Sequence, residues 1–367
     1  MKIFTYIVIA FFTIQLFVSF MNFIYIKLIF RKIYKHLQVK SNPLVSILIP
    51  ARNEEKNIGH TLNSLLKQEY SNIEINVFDD QSNDRTKDIV VEFSRIDKRI
   101  RLIESQGLPP NWLGKNFACH ILSNYANGEY FLFIDADVTI EKNLIQKLIG
   151  LYEKYKPGLI SIFPHQKMLK LSEKITVPII YFILLSLLPL FFVKNSKFSS
   201  LSAANGQLMF FPAKIYKEFN LHELFRNSPV EDIDIARFLK KNRIRVICLT
   251  GIREVSCRMY ESLMDAINGF SKNIIKILGN NSILAILFWL ITTFGFIPSL
   301  LFDSRVFLLL LVEFILIRIL ISITSNQNVF ENLILSPIQQ LVLGFIILKA
   351  INNKIFKRQI WKGRNIY

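Results

Sequence analysis

An α/β fold with membrane segments on both flanks is what this 367-residue sequence predicts, and three observations predict it. From Pro43 to about Tyr155, short apolar runs alternate with helix-like stretches, the pattern of a mostly parallel sheet covered by helices. Long, nearly uncharged stretches lie before and after that region. Hydrophobic residues make up 51% of the chain, more than a soluble enzyme of this length normally carries, so part of it is expected in lipid.

Ile3 to Phe30 is apolar apart from Lys27 and a few weakly polar residues, and exceeds the roughly 20 residues needed to span a bilayer. It shows neither the short apolar run nor the small-residue cleavage site of a signal peptide. Arg31, Lys32, Lys35 and Lys40 follow, and by the positive-inside rule hold the next segment in the cytoplasm. Leu44–Ile49 reads as a buried strand and Glu54–Gln68 as a helix with Ile58, Leu62, Leu65 and Leu66 on one side. Ile73–Phe78 is a second strand. A helix starts at Thr86, with Asn83 or Asp84 before it as cap. Arg101–Glu104 is a strand, Asn116–Asn127 a helix and Tyr130–Ile134 a strand. Ile175–Val193 is long enough to span, but Pro178 and Pro189 interrupt it, and one crossing there would separate the acidic motifs below, so an interfacial or re-entrant segment is expected. Ser282–Phe302 and Val306–Thr324 read as a membrane hairpin joined at Asp303–Arg305, with Glu313 and Arg318 facing protein or water. Leu333–Ile351, broken by Pro337, Gln339 and Gln340, is expected to lie in plane or re-enter, leaving the basic tail in the cytoplasm. The expected organisation is an anchor (1–31), a catalytic domain (43–260, enclosing 175–193), an amphipathic connector (261–281), a membrane region (282–351) and a cytoplasmic tail (352–367).

The formal net charge is +17, which suits an anionic membrane surface or a phosphate-rich substrate; with these apolar segments, nucleic acid is not the expected partner. Three scattered cysteines, Cys119, Cys248 and Cys257, form neither a disulfide framework nor a zinc pattern. No G-x-G-x-x-G and no H-E-x-x-H occurs, and the histidines are isolated, which fits packing or surface roles.

Four polar clusters follow apolar runs. Pro50-Ala-Arg-Asn53-Glu54-Glu55 can line a nucleotide pocket, or simply end a strand and supply acidic residues to a helix start. Asp79-Asp80-Gln-Ser-Asn-Asp84 can accept from a base and a ribose, or form a capped turn. In Asp135-Ala-Asp137, alternation along a strand would point both carboxylates the same way, which suits Mg²⁺ or Mn²⁺ on a diphosphate; a chance strand-end turn is the alternative. Glu231-Asp232 opens a helix whose apolar side is Ile233, Ala236 and Leu239, either as favourable first-turn charges or as a general base facing an acceptor hydroxyl. Gly114-Lys115-Asn116 can bind phosphate through Lys115 and free helix N–H groups, though it is not a Walker A loop.

Taken in order, P-x-x-N-E, D-D-x-S-x-D, D-x-D and E-D resemble the family 2 glycosyltransferases over about Leu44–Lys241. Trp112–Cys119, Cys257–Tyr260 and Trp361–Arg364 look like the subgroup containing staphylococcal carotenoid (diaponeurosporenoate) glycosyltransferases, with hopanoid-associated ones close by. The resemblance implies a Rossmann-like, mixed, mostly parallel sheet of the A-type nucleotide-diphospho-sugar transferase fold. It implies an inverting transfer of a hexose from a nucleotide sugar, a UDP-sugar being expected, to a lipid or isoprenoid-type acceptor at the cytoplasmic membrane face. By the same resemblance Asp79 contacts the base, with Pro50, Asn53 and Glu54 lining its pocket. Asp137 binds the metal with Asp135, Asp232 is the base beside Glu231, and Asn205-Gly206-Gln207 faces the acceptor. The Q-x-x-R-W of processive members is missing, which argues against polymer synthesis; Arg258, or Trp361 and Arg364, are expected to hold the leaving diphosphate. A nucleotidyltransferase of related fold would need a Gly-rich basic loop where Ala51–Glu55 stands. A non-catalytic scaffold would have lost an acidic motif, and both are intact.

Overall fold

The computed structural model describes residues 2–37, 39, 41–356, 360–361 and 364–365, which divide into two compact units. The first comprises Phe30–His165 and Phe192–Arg258. It is built on strands β1 (Val45–Ala51), β2 (Ile73–Asp79), β3 (Ile100–Glu104), β4 (Tyr130–Ile134), β5 (Val138–Ile140), β6 (Leu159–Gln166), β7 (Leu208–Pro212) and β8 (Val246–Cys257). They form one sheet in the order β3-β2-β1-β4-β7-β6-β8-β5. β1 runs parallel to β2 and β4, and β2 parallel to β3, whereas β7 is antiparallel to β4 and β6. The sheet is therefore mixed, with its parallel part in the β3-β2-β1-β4 half.

The apolar runs of β1, β2 and β4 do not alternate because both faces are covered; Val45, Ile47, Leu48, Ile49, Ile75, Val77, Phe131 and Leu132 are fully buried. Helices Ile58–Leu66, Thr86–Ile96, Gly114–Tyr125 and Leu144–Tyr155 contribute the covering side chains, among them Leu62, Val90, Leu122 and Leu148. At the start of β4, Gly128 passes against β1 so closely that a Cβ would stand 2.6 Å from Ser46 Oγ and 2.7 Å from its backbone nitrogen. Pro50, expected just beyond the first strand, lies within it, because pairing with β2 continues through Pro50↔Phe78 to Ala51↔Asp79. The helix expected from Glu54 begins at Ile58, the intervening residues being committed to loop contacts described below.

The second unit comprises Met1–Ile29, Gln166–Phe191 and Met259–Tyr367 and is helical but for the short antiparallel pair Ile360–Trp361 and Arg364–Asn365. Three helical stretches are long and apolar enough to cross a membrane: Ile3–Tyr34, Ser282–Leu300 and Ser304–Thr324. The first is helical from Lys2 through a π-helical turn, Ile24–Phe30, to Lys35. Ile175–Val193 is broken into helices Leu171–Thr176, Pro178–Leu187 and Leu190–Asn195, the longest of 10 residues and too short to span. Gln166–Phe191 belongs to this helical unit, unlike the expected 43–260 block. The reason is the apolar surface of Pro178–Leu187: Ile179, Tyr181, Phe182, Ile183 and Leu185 are buried, and the helix packs on Lys2–Phe23 and Ser304–Thr324. Asn22 fastens that contact, donating to the carbonyls of Leu185 and Leu188 at 2.9 Å each and accepting from Leu190 N at 2.8 Å.

Ser336–Phe356 is one continuous helix, not a broken stretch. Pro337 sits in its first turn, where no intrahelical N–H is required, and Gln339 and Gln340 are buried and hydrogen-bonded. Gln339 accepts from Arg318 Nη1 at 2.9 Å, and the Gln340 carbonyl accepts from Trp289 Nε1 at 2.9 Å. Glu313 and Arg318 are both buried within this unit; Thr13 donates to Glu313 Oε1 at 2.8 Å, and the Arg318 guanidinium stacks 4.1 Å from the Phe182 ring.

Candidate active site

The strand ends of the sheet unit gather the acidic motifs. The loops after β1 and β2 are zipped together. Asn53, at a φ of 53°, donates its N–H to Ser82 Oγ at 3.0 Å and accepts from Asn83 N at 2.8 Å. Glu54 N donates to Thr86 Oγ1 at 2.7 Å, while Glu55 N and Arg85 N exchange bonds with Asp84 and Glu55 carboxylates at 3.1 Å each. Arg52 Nη1 donates to the Asp80 carbonyl at 2.6 Å. This mesh places Pro50, Asn53, Glu54 and Asp79 side by side. Asp79 is buried; one carboxylate oxygen accepts from Ser82 N at 3.3 Å, and the other has no hydrogen-bond partner among the described residues. A buried acceptor left open at a strand's carboxyl end is suited to a ligand donor.

The second half of the site surrounds Gly206. β7 is antiparallel to β4, so the loop entering β7, Asn205–Gln207, meets the carboxyl end of β4, and Asp135 N donates to the Gln207 carbonyl at 3.1 Å. Gly206 N donates to Asp232 Oδ2 at 2.8 Å and its carbonyl accepts from Lys115 Nζ at 3.1 Å. Lys115 Nζ stands 2.7 Å from Asp135 and 3.7 Å from Glu231. A Cβ on residue 206 would lie 3.0 Å from Lys115 Nζ, 3.2 Å from Glu231 Oε1 and 3.6 Å from Asp232 Oδ2, so any larger residue would crowd these groups. The loop is itself fixed by Ser161, whose Oγ accepts from Asn205 N at 2.7 Å.

Asp135 and Asp137 do not lie on the strand, as the alternation argument assumed; β4 ends at Ile134 and both occupy the turn before β5. They accordingly meet different neighbours. Asp135 pairs with Lys115, and Asp137 Oδ2 accepts from the Cys257 thiol at 3.4 Å. Burial, then the Asp137 carboxylate, push that thiol well above its ordinary pKa, so it remains a donor. Gln207 Nε2 lies 3.0 Å from the same sulfur. Arg258 follows Cys257 directly. The side chains of Trp361 and Arg364, with Lys362 and Gly363, fall outside the described residues.

Charge is concentrated here. Burial alone would lower the Lys115 pKa, but Asp135 and Glu231 more than offset it and hold the ammonium charged. Burial, then Glu231, push the Asp232 carboxyl up to about 7, against bonds from Ile233 N and Gly206 N and the charge of Lys115, which pull it down. Asp232 also sits at the first turn of helix Glu231–Lys241, accepting from Ile233 N at 2.8 Å. His222 is a packing residue: burial and then Lys115 hold its pKa down to about 3, and its Nδ1 is 2.8 Å from the Tyr216 hydroxyl.

Among the described residues no group of three or more His, Cys, Asp or Glu side chains is gathered to hold a metal ion. Two carboxylates at one strand end nevertheless fit Mg²⁺ or Mn²⁺, which are typically held by one or two carboxylates with substrate phosphates completing the shell. The sequence marks the acidic motifs one by one along the chain but does not connect Asn116 or Ser228 to them. Asn116 Nδ2 donates to the carbonyls of Phe225, Arg226 and Ser228 at 2.8, 3.2 and 3.0 Å. Its place beside Lys115 was the available signal.

Residues 46–218 match the model of glycosyl transferase family 2. A 4,4'-diaponeurosporenoate glycosyltransferase of Staphylococcus haemolyticus is 29% identical over 240 residues, 63% of this chain and 60% of that protein. Its counterpart in Staphylococcus aureus (strain USA300) is 33% identical over 123 residues, 33% of this chain and 32% of that one. The chain thus matches less than two thirds of the length of these curated relatives. The mannosyltransferase PcManGT from Pyrobaculum calidifontis, solved in complex with GDP-Man and Mn²⁺, superposes with a TM-score of 0.58 at 13% identity, covering 96% of this chain and 99% of that one. At that identity the likeness is one of fold, the A-type glycosyltransferase fold with its mixed, mostly parallel sheet. Residues 46–218 of this chain are a glycosyl transferase family 2 domain.

Proposed function

We propose that this chain is an inverting glycosyltransferase that moves a hexose from a nucleotide-diphosphate sugar, a UDP-sugar first among the donors to test, to a lipid or isoprenoid-type acceptor at the cytoplasmic face of the membrane. The observation that carries the reading is the convergence of Lys115, Asp135, Glu231 and Asp232 on Gly206, at the sheet edge that also bears Asp79 and Asp137. A carboxyl pushed up to about 7 is matched to proton transfer at neutral pH, and a lysine held charged nearby is matched to a leaving phosphate.

Asp79, with Pro50, Asn53 and Glu54, would hold the base and ribose. A divalent cation, Mg²⁺ or Mn²⁺, held by Asp137 with Asp135, would neutralise diphosphate charge. Asp232 would accept the acceptor's hydroxyl proton as the acceptor oxygen bonds to the anomeric carbon. The bond from that carbon to the diphosphate oxygen breaks, and its electron pair leaves with the nucleoside diphosphate. Lys115 and Arg258 would receive that charge, and Glu231 would keep Lys115 oriented. The named activity of the staphylococcal relatives and the three apolar helices support a membrane-borne acceptor of isoprenoid type, and Arg31, Lys32 and Lys35 support a cytoplasmic sheet unit in a multi-pass protein.

The test is transfer by the detergent-solubilised full chain from a panel of UDP- and GDP-hexoses with Mg²⁺ or Mn²⁺ and native lipid extract, products being read by mass. A hexose added to a lipid, requiring the cation and lost in Asp137→Ala, is the expected result. Folded protein that turns over no donor would overturn the reading.

A further inference from the structure

The Asn116 side chain takes no part in any substrate contact expected above, yet it is buried almost completely and commits its amide to one loop. Its Nδ2 meets the Phe225, Arg226 and Ser228 carbonyls of the segment Phe225–Ser228, and Leu113 N donates to the Arg226 carbonyl at 2.9 Å as well. That segment leads directly into Glu231–Asp232. Ser228 continues the connection: its Oγ donates to Asp234 Oδ2 at 2.6 Å and accepts from Val230 N at 3.2 Å, tying the loop to the first turn of helix Glu231–Lys241. One residue earlier, Lys115 bridges Asp135 and Glu231. The start of helix Gly114–Tyr125, which packs on β1 and β2, therefore touches both the strand end bearing Asp135 and the loop that delivers Asp232.

We propose that Asn116 is a positioning residue that sets where Asp232 stands relative to the donor-binding strand ends, by clamping the Phe225–Ser228 loop. The inference rests on the proposed base role of Asp232. An asparagine suits this task because its amide carries two N–H donors on a short, neutral side chain, where serine or threonine would offer one. Alanine leaves three carbonyls without this donor and frees the loop, and a displacement of about 1 Å at a catalytic group is worth on the order of a hundredfold in rate.

The experiment is a double-mutant cycle on the full chain, with native lipid extract as acceptor and the radiolabelled nucleotide hexose that the wild type turns over. Asn116→Ala should lower kcat about 30- to 100-fold, while the affinity for the corresponding nucleoside diphosphate with Mn²⁺, read by calorimetry, stays within about twofold. In the Asp232→Asn background the same substitution should change the rate by less than about twofold, because the two residues act through one group. Ser228→Ala, a milder change to the same loop, should show the same pattern with a smaller factor and serves if Asn116→Ala does not fold. An equal loss in both backgrounds, or nucleotide affinity falling in step with kcat, would overturn the positioning role. Absence of turnover by the wild type would instead overturn the proposed function on which it rests.

Discussion

Replacing Lys115 by methionine tests the electrostatics of the site most directly, since it removes one charge and little volume. In the wild type, Asp232 is raised to about 7 by burial and by Glu231, and Lys115 opposes that rise. Transfer to a hydroxyl acceptor needs the ionised carboxylate, so the rate should fall tenfold per pH unit below about 7 and level off above it. Lys115 Nζ and Asp232 Oδ2 stand 3.0 and 3.6 Å from the same point beside Gly206, which places them within about 7 Å of each other. At that separation, with an effective dielectric constant of about 20, one unit charge is worth roughly 2 kcal/mol. Asp232 is half-buried, and solvent screening brings this to about 1.4 kcal/mol, or one pH unit. The acid limb of Lys115→Met should therefore lie about one pH unit alkaline of the wild type, and at pH 7 the variant should run at about a tenth of its own plateau. The plateau will also fall if Lys115 receives the leaving diphosphate, but that loss is independent of pH. The assay is kcat/KM across pH 5.5 to 9.5 for wild type, Lys115→Met and Lys115→Arg, the last expected to restore the limb. A limb that stays in place, or moves to lower pH, would refute the assignment of Asp232 as the titrating base.

Three further outcomes are expected. Asp232→Asn should reduce transfer to a hydroxyl acceptor by 10²-fold or more but affect a carboxylate acceptor far less, since a carboxylate is already ionised at neutral pH; equal losses on matched acceptors would count against proton transfer. Chelation of divalent cations should abolish transfer and added Mn²⁺ restore it in the wild type, whereas Asp137→Ala should stay inactive at every concentration, as activity titrations will show. Gly128→Ala should destabilise the sheet unit by roughly 1–3 kcal/mol, because its Cβ would meet the β1 backbone at 2.7–2.8 Å; thermal unfolding indistinguishable from wild type would contradict that contact.

Much of this organisation was legible in the sequence where one residue's surroundings decide its conformation. β1, β2 and β4 announce themselves because strands buried on both faces must be continuously apolar. The apolar stretches Ser282–Phe302 and Val306–Thr324 stand out because they carry so few charged residues, and helices cover them within a few positions. β8 has no such mark, since the half-apolar texture of Val246–Cys257 carries no period of its own and becomes a strand through its neighbours, whereas the apolar runs of β6 and β7 are as continuous as that of β1. The site divides in the same way. Each acidic motif directly follows an apolar run and could be read there, but the meeting of Asp135, Gly206 and Asp232 depends on β7 entering antiparallel beside β4. Asp137 and Cys257 meet through the pairing Val138↔Cys257, and Asn116 reaches Phe225 across more than a hundred residues of chain. Contacts of that range leave no local mark.

The path of the chain has a practical consequence. The sheet unit is left at His165 and resumed at Phe192, and the residues between belong to the helical unit. Trimming both termini back to the sheet therefore cannot yield a water-soluble catalytic half. The excised piece would still carry Pro178–Leu187, stripped of Lys2–Phe23 and Ser304–Thr324, with Ile179, Tyr181, Phe182, Ile183 and Leu185 newly wetted. Such a fragment should aggregate, and replacing Gln166–Phe191 by a short polar linker is the internal deletion that a soluble version would need.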